Sequence, residues 1–283
     1  MQVTRDTEMQ GVAMVFNNMT EILESAQKQD AAGVVPTESS ASWSEMRHLA
    51  SWNAVARECN NPWSEGTERV LEVGEEIAKS LPPQPVSIRR QRRWSEDSGD
   101  LDIDRILGNA EAPYRESYRA TRPNLQNIAI MCDVSSAGFV TNERLFYRSA
   151  AVIAAVDILE ESGYRCEVWA YDLGQQCYIG TKDHNSFIAF QAKGLGDSLD
   201  IDTMAKCLSP WFFRTCLFAN YSLGGKVAIG KGYSTTDNRE RWFGRHCQVD
   251  SSLERIWMPS ATSLRDSIAA VKTILTTIQQ PVA

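Results

Sequence analysis

The pattern of apolar and polar positions is clearest between residues 127 and 172. An apolar run, Ile128–Cys132, ends at Asp133, and a second apolar run follows at 164–172. Such short runs are typical of strands buried on both faces of a parallel sheet. Between them, residues 140–162 place one apolar stripe at helical spacing, formed by Leu145, Ser149, Val152, Val156 and Leu159. Gly163 stands where a left-handed residue ends a helix, so the sequence predicts a βαβ unit with a right-handed crossover.

The first third of the chain has a helical pattern. Residues 8–28 place apolar side chains at helical spacing, namely Val12, Val15, Phe16, Met19, Ile22 and Leu23. Residues 29–41 have the composition of a linker, which predicts either a helical arm on this chain or another subunit, or an ordinary packed helix. Two further helices are expected between Ser42 and Ala78, with Trp43, Trp52 and Trp63 forming a local core or an aromatic contact surface.

A basic strand is predicted after the proline-rich connector at 81–85. It contains Arg89, Arg90, Arg92 and Arg93, and aspartates follow at 97, 100, 102 and 104. The arginines are suited either to binding phosphate or to pairing with this acidic stretch, and proximity in sequence favours the pairing. The expected organisation is therefore an N-terminal helical arm and linker at 1–41, a helical region with a basic strand at 42–124, and an α/β domain at 125–283.

The remaining elements complete an α/β pattern. A strand is expected at 186–192, a loop at 194–202, a buried helix at 211–221, a strand at 253–258 and a final helix capped by Thr262 or Ser263. The predicted fold class is α/β, with a mainly parallel sheet of five or six strands flanked by helices in three layers and a helical N-terminal extension.

Composition narrows the functional classes. The 283 residues carry a net charge of −7, which argues against sequence-independent nucleic-acid binding by the whole surface. No apolar run approaches the roughly 20 residues of a membrane span, and the polar N-terminus does not resemble a secretory signal. Seven cysteines without a Cys-x-x-Cys pair predict buried thiols in a reducing compartment such as the cytoplasm, and they do not predict a zinc site.

Candidate chemistry gathers where the predicted parallel strands end. Asp133 is followed by Ser135, Ser136 and Gly138, and Asp172 ends the next strand. Ligands of open α/β sheets bind at such carboxyl ends, where carboxylate and hydroxyl oxygens suit Mg²⁺ or Ca²⁺. Alternatively, Asp133 caps the following turn through backbone N–H groups and binds no ion.

The segment resembles a von Willebrand factor A-type domain over roughly residues 125–280. Such domains begin with an apolar strand ending Asp-x-Ser-x-Ser, then a long helix and a second strand. Asp133 and Ser135 match this motif, whereas Ala137 replaces its last serine. The resemblance implies a metal site at Asp133 and Ser135 and a protein-binding surface. For the later threonine of the family the candidates are Thr203, Thr215, Thr235 and Thr236, and for its later aspartate they are Asp197, Asp237 and Asp250.

Other catalytic motifs are missing from the sequence. Gly138 alone follows the first strand, so there is no Rossmann Gly-x-Gly-x-x-Gly fingerprint. Gly224-Gly225-Lys226 and Gly230-Lys231-Gly232 lack Walker spacing, and there is no Gly-x-Ser-x-Gly elbow. His48, His184 and His246 are too scattered to nominate a general base.

These observations favour a non-catalytic protein-interaction or assembly module. Its expected contact surface combines Asp133–Gly138, Asp172 and the loop that contains Asp197, and homo-oligomers through the N-terminal helix are a further expectation. The alternatives are a metal-dependent enzyme acting on phosphate esters or nucleotides, and a nucleic-acid-associated or virion component that uses the arginines at 89–93. The chain also resembles bacteriophage and mobile-element proteins with a Trp-rich helical lead, which favours a phage-borne protein in the host cytoplasm or the virion.

Overall fold

A mixed β-sheet forms the centre of an α/β fold. The computed structural model describes residues 1–9, 11–30, 51–81, 91–95, 100–101, 114–118, 126–134, 141–177, 184–217, 220, 230–233, 239–250 and 252–279. The strands of the main sheet are β1 (Gln2–Asp6), β2 (Gly11–Phe16), β6 (Asn127–Asp133), β7 (Arg165–Cys177), β8 (His184–Lys193), β9 (Gly230–Tyr233) and β10 (Glu254–Trp257). Their order is β1-β2-β8-β7-β6-β10, and β9 pairs with β7. A separate small sheet contains β3 (Gln91–Ser95), β4 (Asp100–Leu101) and β5 (Tyr114–Tyr118) in the order β3-β5-β4.

Strand β6 lies inside the main sheet and is parallel to both of its neighbours. Ile128 is in register with Cys166 of β7 and with Glu254 of β10. Residues 128–132 of the strand are apolar, and both of its faces are buried there: Ile130 packs into one core and Met131 into the other. The predicted βαβ unit of parallel strands is confirmed, and Gly163 ends its helix with a φ of 95°.

Helices cover the two faces of the sheet unequally. They are α1 (Met19–Asp30), α2 (Trp52–Asn60), α3 (Ser64–Ser80), α4 (Asn142–Glu161), α5 (Ile201–Cys207), α6 (Pro210–Phe212), α7 (Arg239–His246) and α8 (Leu264–Gln279). A π-helical turn, Phe213–Leu217, follows α6. All of these except α7 contribute to a larger core on one face, whereas Trp242 and Phe243 of α7 contribute to a smaller core on the other. None of the helices in the described ranges is both long and apolar enough to cross a membrane.

The N-terminal segment differs from the prediction, because residues 2–6 and 11–16 form strands of the main sheet and not a helix. Strand β2 lies between β1 and β8, so its side chains alternate between the cores: Ala13 and Val15 enter the smaller one, while Met14 and Phe16 enter the larger one. A short apolar run that is buried on both sides fits a strand and a helix equally well in the sequence. The predicted helical arm was therefore wrong for residues 8–18, and the helix begins only at Met19. Most of the expected linker lies outside the described residues.

The sheet is also less parallel than the sequence suggested. The pairs β2–β8, β6–β7 and β6–β10 are parallel, whereas β1–β2, β7–β8 and β7–β9 are antiparallel. Leu173 and Gly174 do not turn the chain, because β7 continues to Cys177 and pairs there with β8 and β9. The α/β class with parallel strands around β6 is confirmed, and the antiparallel β7–β8 pair was not predicted.

Candidate functional site

The carboxyl end of β6 lies where the order of the parallel strands reverses. The chain leaves β6 for β7 on one side through α4, while the later strand β10 pairs on the other side. In open α/β sheets this switch point is where ligands bind. The N–H of Val134 donates to the carbonyl of Tyr171 at 2.8 Å, and that of Met258 donates to the carbonyl of Met131 at 2.9 Å. These bonds keep the three strands together up to this edge and hold Asp133 between its neighbours.

Asp133 and Asp172 point to opposite faces of the sheet. Cys132 and Val134 both enter the larger core, so the alternation of side chains directs Asp133 toward the face of the smaller core. Tyr171 and Leu173 both enter the smaller core, so Asp172 is directed the other way. Asp133 is half-buried and Asp172 is completely buried. The two carboxylates therefore do not converge on one ligand, and Asp172 is not at a strand end.

Tyr171, which is in register with Asp133, contacts side chains of α7 and β10, and we call Asp133, Tyr171, Arg239, Glu240 and Trp257 the edge cluster. The guanidinium carbon of Arg239 lies 4.5 Å from the centre of the Trp257 ring, within cation–π range. The rings of Tyr171 and Trp257 meet edge to face at 5.6 Å. The indole N–H of Trp257 donates to Oε1 of Glu240 at 3.2 Å. A buried phenol thus supports a half-exposed surface of one aromatic ring and three charged groups.

The phenol of Tyr171 remains protonated at neutral pH. Burial raises the pKa of Tyr171, and the neighbouring Asp133 carboxylate raises it further, against the opposing effect of Arg239. The hydroxyl proton of Tyr171 is consequently retained as a hydrogen-bond donor at this edge.

Only some of the residues of the predicted metal site lie in the described part of the chain. Ser135, Ser136 and Gly138 lie outside the described residues, as do Thr235, Thr236 and Asp237. Within the described ranges, no group of three or more histidine, cysteine, aspartate or glutamate side chains is arranged to hold a metal ion. Thr203 is one of the candidates for the later threonine of the family. Its hydroxyl donates to Asp200, the residue that caps α5, at 2.7 Å. Mg²⁺ or Ca²⁺ at Asp133 therefore stays a prediction that depends on Asp133 and Ser135.

Asp197 lies at the other edge of the sheet from Asp133. Strand β8 runs antiparallel to β7, and its last residue, Lys193, pairs with Val168 near the start of β7. The carboxylate of Asp197 accepts the N–H of Gly194 at 2.8 Å immediately after this strand. The contact surface expected from the sequence is corrected accordingly: it cannot include both Asp133 and the 194–202 loop, because β8 enters the sheet antiparallel.

The basic segment belongs to the small sheet. Arg92 and Arg93 lie on β3, in register with Ser117 and Glu116 of β5, while Arg89 and Arg90 lie outside the described residues. The acidic stretch at 97–104 contributes Asp100, which is in register with Arg115 of β5. Whether these arginines bind phosphate stays a prediction.

Sequence reasoning missed most of the edge cluster. Tyr171 and Trp257 lie in strands that the sequence predicted, whereas Arg239 and Glu240 lie in a charged stretch, residues 237–245, to which no role was assigned. A signal was present in that segment, because two aromatic residues, Trp242 and Phe243, interrupt otherwise charged residues. They predict a short helix with one buried face, but nothing local indicates that Trp257 is its partner.

Comparison with known proteins gives a family for nearly the whole chain. No match was found among curated proteins or among solved structures. One family model matches residues 4–281, which includes the edge cluster and the whole main sheet apart from the first two residues of β1. The chain therefore belongs to the family described as "Domain of unknown function (DUF7192)".

Proposed function

We propose that the chain is a non-catalytic protein-interaction or assembly module of the von Willebrand factor A type, and that its partner binds at the edge cluster. The order of β6, α4 and β7, with Asp133 ending the first strand, supports the resemblance to such domains. The contact surface proposed here is narrower than the one expected from the sequence, because it omits Asp172 and Asp197.

The observation that carries the proposal is the composition of the cluster at the switch point. Tyr, Trp and Arg are the residue types that most often dominate binding energy at protein interfaces. Here Arg239 and Trp257 are half-exposed and stacked on each other, and the buried Tyr171 supports them from below. Because these side chains are already held in place, little side-chain entropy would be lost when a partner binds.

The alternative of a metal-dependent enzyme gains less support from the same geometry. It requires several acidic ligands to converge on Asp133. Asp172 points to the opposite face, and Asp197 lies at the opposite edge. The arginines at 89–93 remain the basis of the nucleic-acid alternative.

A photo-crosslinking experiment tests the proposal. A photoreactive amino acid is placed at Glu240, which is exposed in the cluster, and at Glu72, an exposed residue of α3 on the face of the larger core. In cells of the source organism we expect a protein adduct at position 240 and none at 72. The adduct at position 240 should decrease at least about tenfold when Trp257→Ala or Arg239→Ala is added, since hot-spot residues contribute roughly 2 kcal/mol or more.

Two results would contradict this proposal. One is an adduct that forms equally at both positions or survives both substitutions in folded protein. The other is the absence of any protein adduct at position 240 when the chain carrying the photoreactive residue is folded.

A further inference from the structure

The three arginines of α7 differ in their counter-charges. Arg241 and Arg245 both pair with the carboxylate of Glu8, Arg241 at 3.3 Å. Arg239 is less exposed than either, and its guanidinium carbon lies 4.5 Å from the centre of the Trp257 ring. In the described part of the chain, no carboxylate forms an ion pair with Arg239. The most buried arginine of this helix is therefore the one without a counter-charge there.

The two carboxylates of the edge cluster do not supply that counter-charge. Glu240 accepts the indole N–H of Trp257 at 3.2 Å, and Asp133 acts on the phenol of Tyr171, whose pKa it raises. Removing a cation from water without an ion pair costs free energy, and stacking on an indole ring offsets only part of this cost. Arg239 is consequently suited to pairing with an anionic group of a partner.

We infer that the partner of the edge cluster presents the carboxylate of an aspartate or glutamate side chain to Arg239. This inference rests on the proposed function, in which a protein binds at the cluster. A guanidinium binds a carboxylate through two parallel N–H···O bonds, and such charge-assisted bonds are among the strongest in proteins. Because Trp257 already holds the guanidinium in place, little side-chain entropy is lost when these bonds form.

The charges of the cluster favour a carboxylate over a phosphorylated side chain. Asp133 and Glu240 repel any anion that approaches Arg239, and like charges across an interface are costly. A carboxylate carries one negative charge, whereas a phosphate group carries nearly two at neutral pH. The repulsion is therefore smaller for a carboxylate, and its two oxygens match the planar fork of the guanidinium.

Peptide selection on the full chain tests the inference. Random dodecapeptides displayed on phage are selected against the immobilised unaltered chain, Arg239→Gln, Arg239→Lys and Arg265→Gln, an exposed control position on α8. On the unaltered chain and on Arg265→Gln we expect aspartate and glutamate to be enriched at least about twofold over the input. The enrichment should disappear on Arg239→Gln. It should decrease on Arg239→Lys, because an ammonium keeps the charge but loses the paired N–H groups.

A double-mutant cycle with one selected peptide gives a measurement that does not depend on enrichment. The acidic residue of the peptide is replaced by its amide, and fluorescence anisotropy gives the Kd of both peptides for the unaltered chain and for Arg239→Gln. We expect the replacement to weaken binding at least about tenfold for the unaltered chain and less than about twofold for Arg239→Gln. Arg239→Lys takes the place of Arg239→Gln in the cycle if the latter does not fold.

The outcomes separate this inference from the proposed function. Selected peptides without an excess of acidic residues, an enrichment of lysine and arginine instead, or a cycle without coupling would each overturn the inference. If such peptides are lost on Trp257→Ala, the edge cluster still stands as the interaction surface. Peptides that bind Trp257→Ala and the unaltered chain equally, or a failure to select any peptide, would overturn the proposed function as well.

Discussion

The ammonium group of Lys193 lies 2.7 Å from Oε1 of Glu160, at a position with little solvent access. The side chain of Lys193 is 2% exposed and that of Glu160 is 20% exposed. The same ammonium donates to the carbonyl oxygen of Cys166 at 2.8 Å. Lys193 ends β8, Glu160 lies in the last turn of α4 and Cys166 begins β7, so one charged group connects three elements at the edge opposite Asp133.

Glu160→Gln should destabilise the fold because it leaves the buried ammonium without its counter-charge. We expect the free energy of unfolding to decrease by about 2 kcal/mol, which is less than the cost for a fully buried pair because Glu160 retains some solvent contact. Urea unfolding measures the change. Glu161→Gln, the exposed neighbour in the same helix, serves as the control and should change it by less than about 0.5 kcal/mol. Equal effects of the two substitutions would contradict the structural role of the Lys193–Glu160 pair.

Asp202 connects α5 to the start of α3. Its carboxylate accepts the N–H of Trp63 at 2.7 Å and the hydroxyl of Thr67 at 3.1 Å, and it lies 2.6 Å from the ammonium of Lys206. Asp202→Ala should lower the free energy of unfolding by about 3 kcal/mol, because a buried lysine and two donors lose their acceptor. Asp200→Ala is the matched control: it removes only the local bonds that Asp200 accepts from the N–H and the hydroxyl of Thr203, and it should cost about 1 kcal/mol in the same unfolding experiment. A smaller effect at Asp202 than at Asp200 would show that the long-range contacts add nothing.

The elements that the sequence predicted well are those with a long or unambiguous pattern. Strand β6 was recognised because its apolar run ends in a carboxylate, and α4 because its 20 residues repeat the helical spacing over many turns. Strand β2 was misassigned because six apolar residues do not distinguish a strand from a helix. Its identity depends on pairing with β8, which is more than 160 residues away in the chain.

The candidate site was predictable only where it depended on strand order. Asp133 could be placed at the carboxyl end of a parallel strand from the sequence alone. The grouping of Asp133 with Asp197 failed because it assumed that β8 is parallel to β7. The residues of a strand do not by themselves determine whether it runs parallel or antiparallel to its neighbour. Arg239 and Trp257 were missed because their contact joins a helix and a strand that no local pattern connects.

Gly11 of β2 lies directly against the backbone of β8. A Cβ atom at this position would collide with the backbone carbonyl of Asn185. Gly11→Ala should therefore force the strands apart and reduce the free energy of unfolding by about 2 kcal/mol. Gly74→Ala is the contrasting case: Gly74 lies inside α3 with open space around it, and the free energy of unfolding should increase by about 1 kcal/mol. Denaturant unfolding of both variants measures whether the free energy of unfolding falls with Gly11→Ala and rises with Gly74→Ala. Stabilisation by Gly11→Ala would show that β2 and β8 are not closely packed at this position.

Ionisation of Glu167 makes the free energy of unfolding decrease as the pH rises, whereas carboxylates with a lowered pKa make it increase. Burial raises the pKa of Glu167, although hydrogen bonds from the Trp169 indole at 3.0 Å and from Gln191 at 3.3 Å oppose this effect. A raised pKa in the folded state means that the protonated form favours folding. The contribution of Glu167 is therefore fully present below the pKa of the unfolded chain, about 4, and is lost as the pH rises through the folded value. Glu167→Gln, which cannot ionise, should gain stability relative to the unaltered chain between about pH 4 and 7. Urea unfolding at several pH values, with Glu161→Gln as the surface control, measures this difference, and a difference that stays constant with pH would contradict the raised pKa of Glu167.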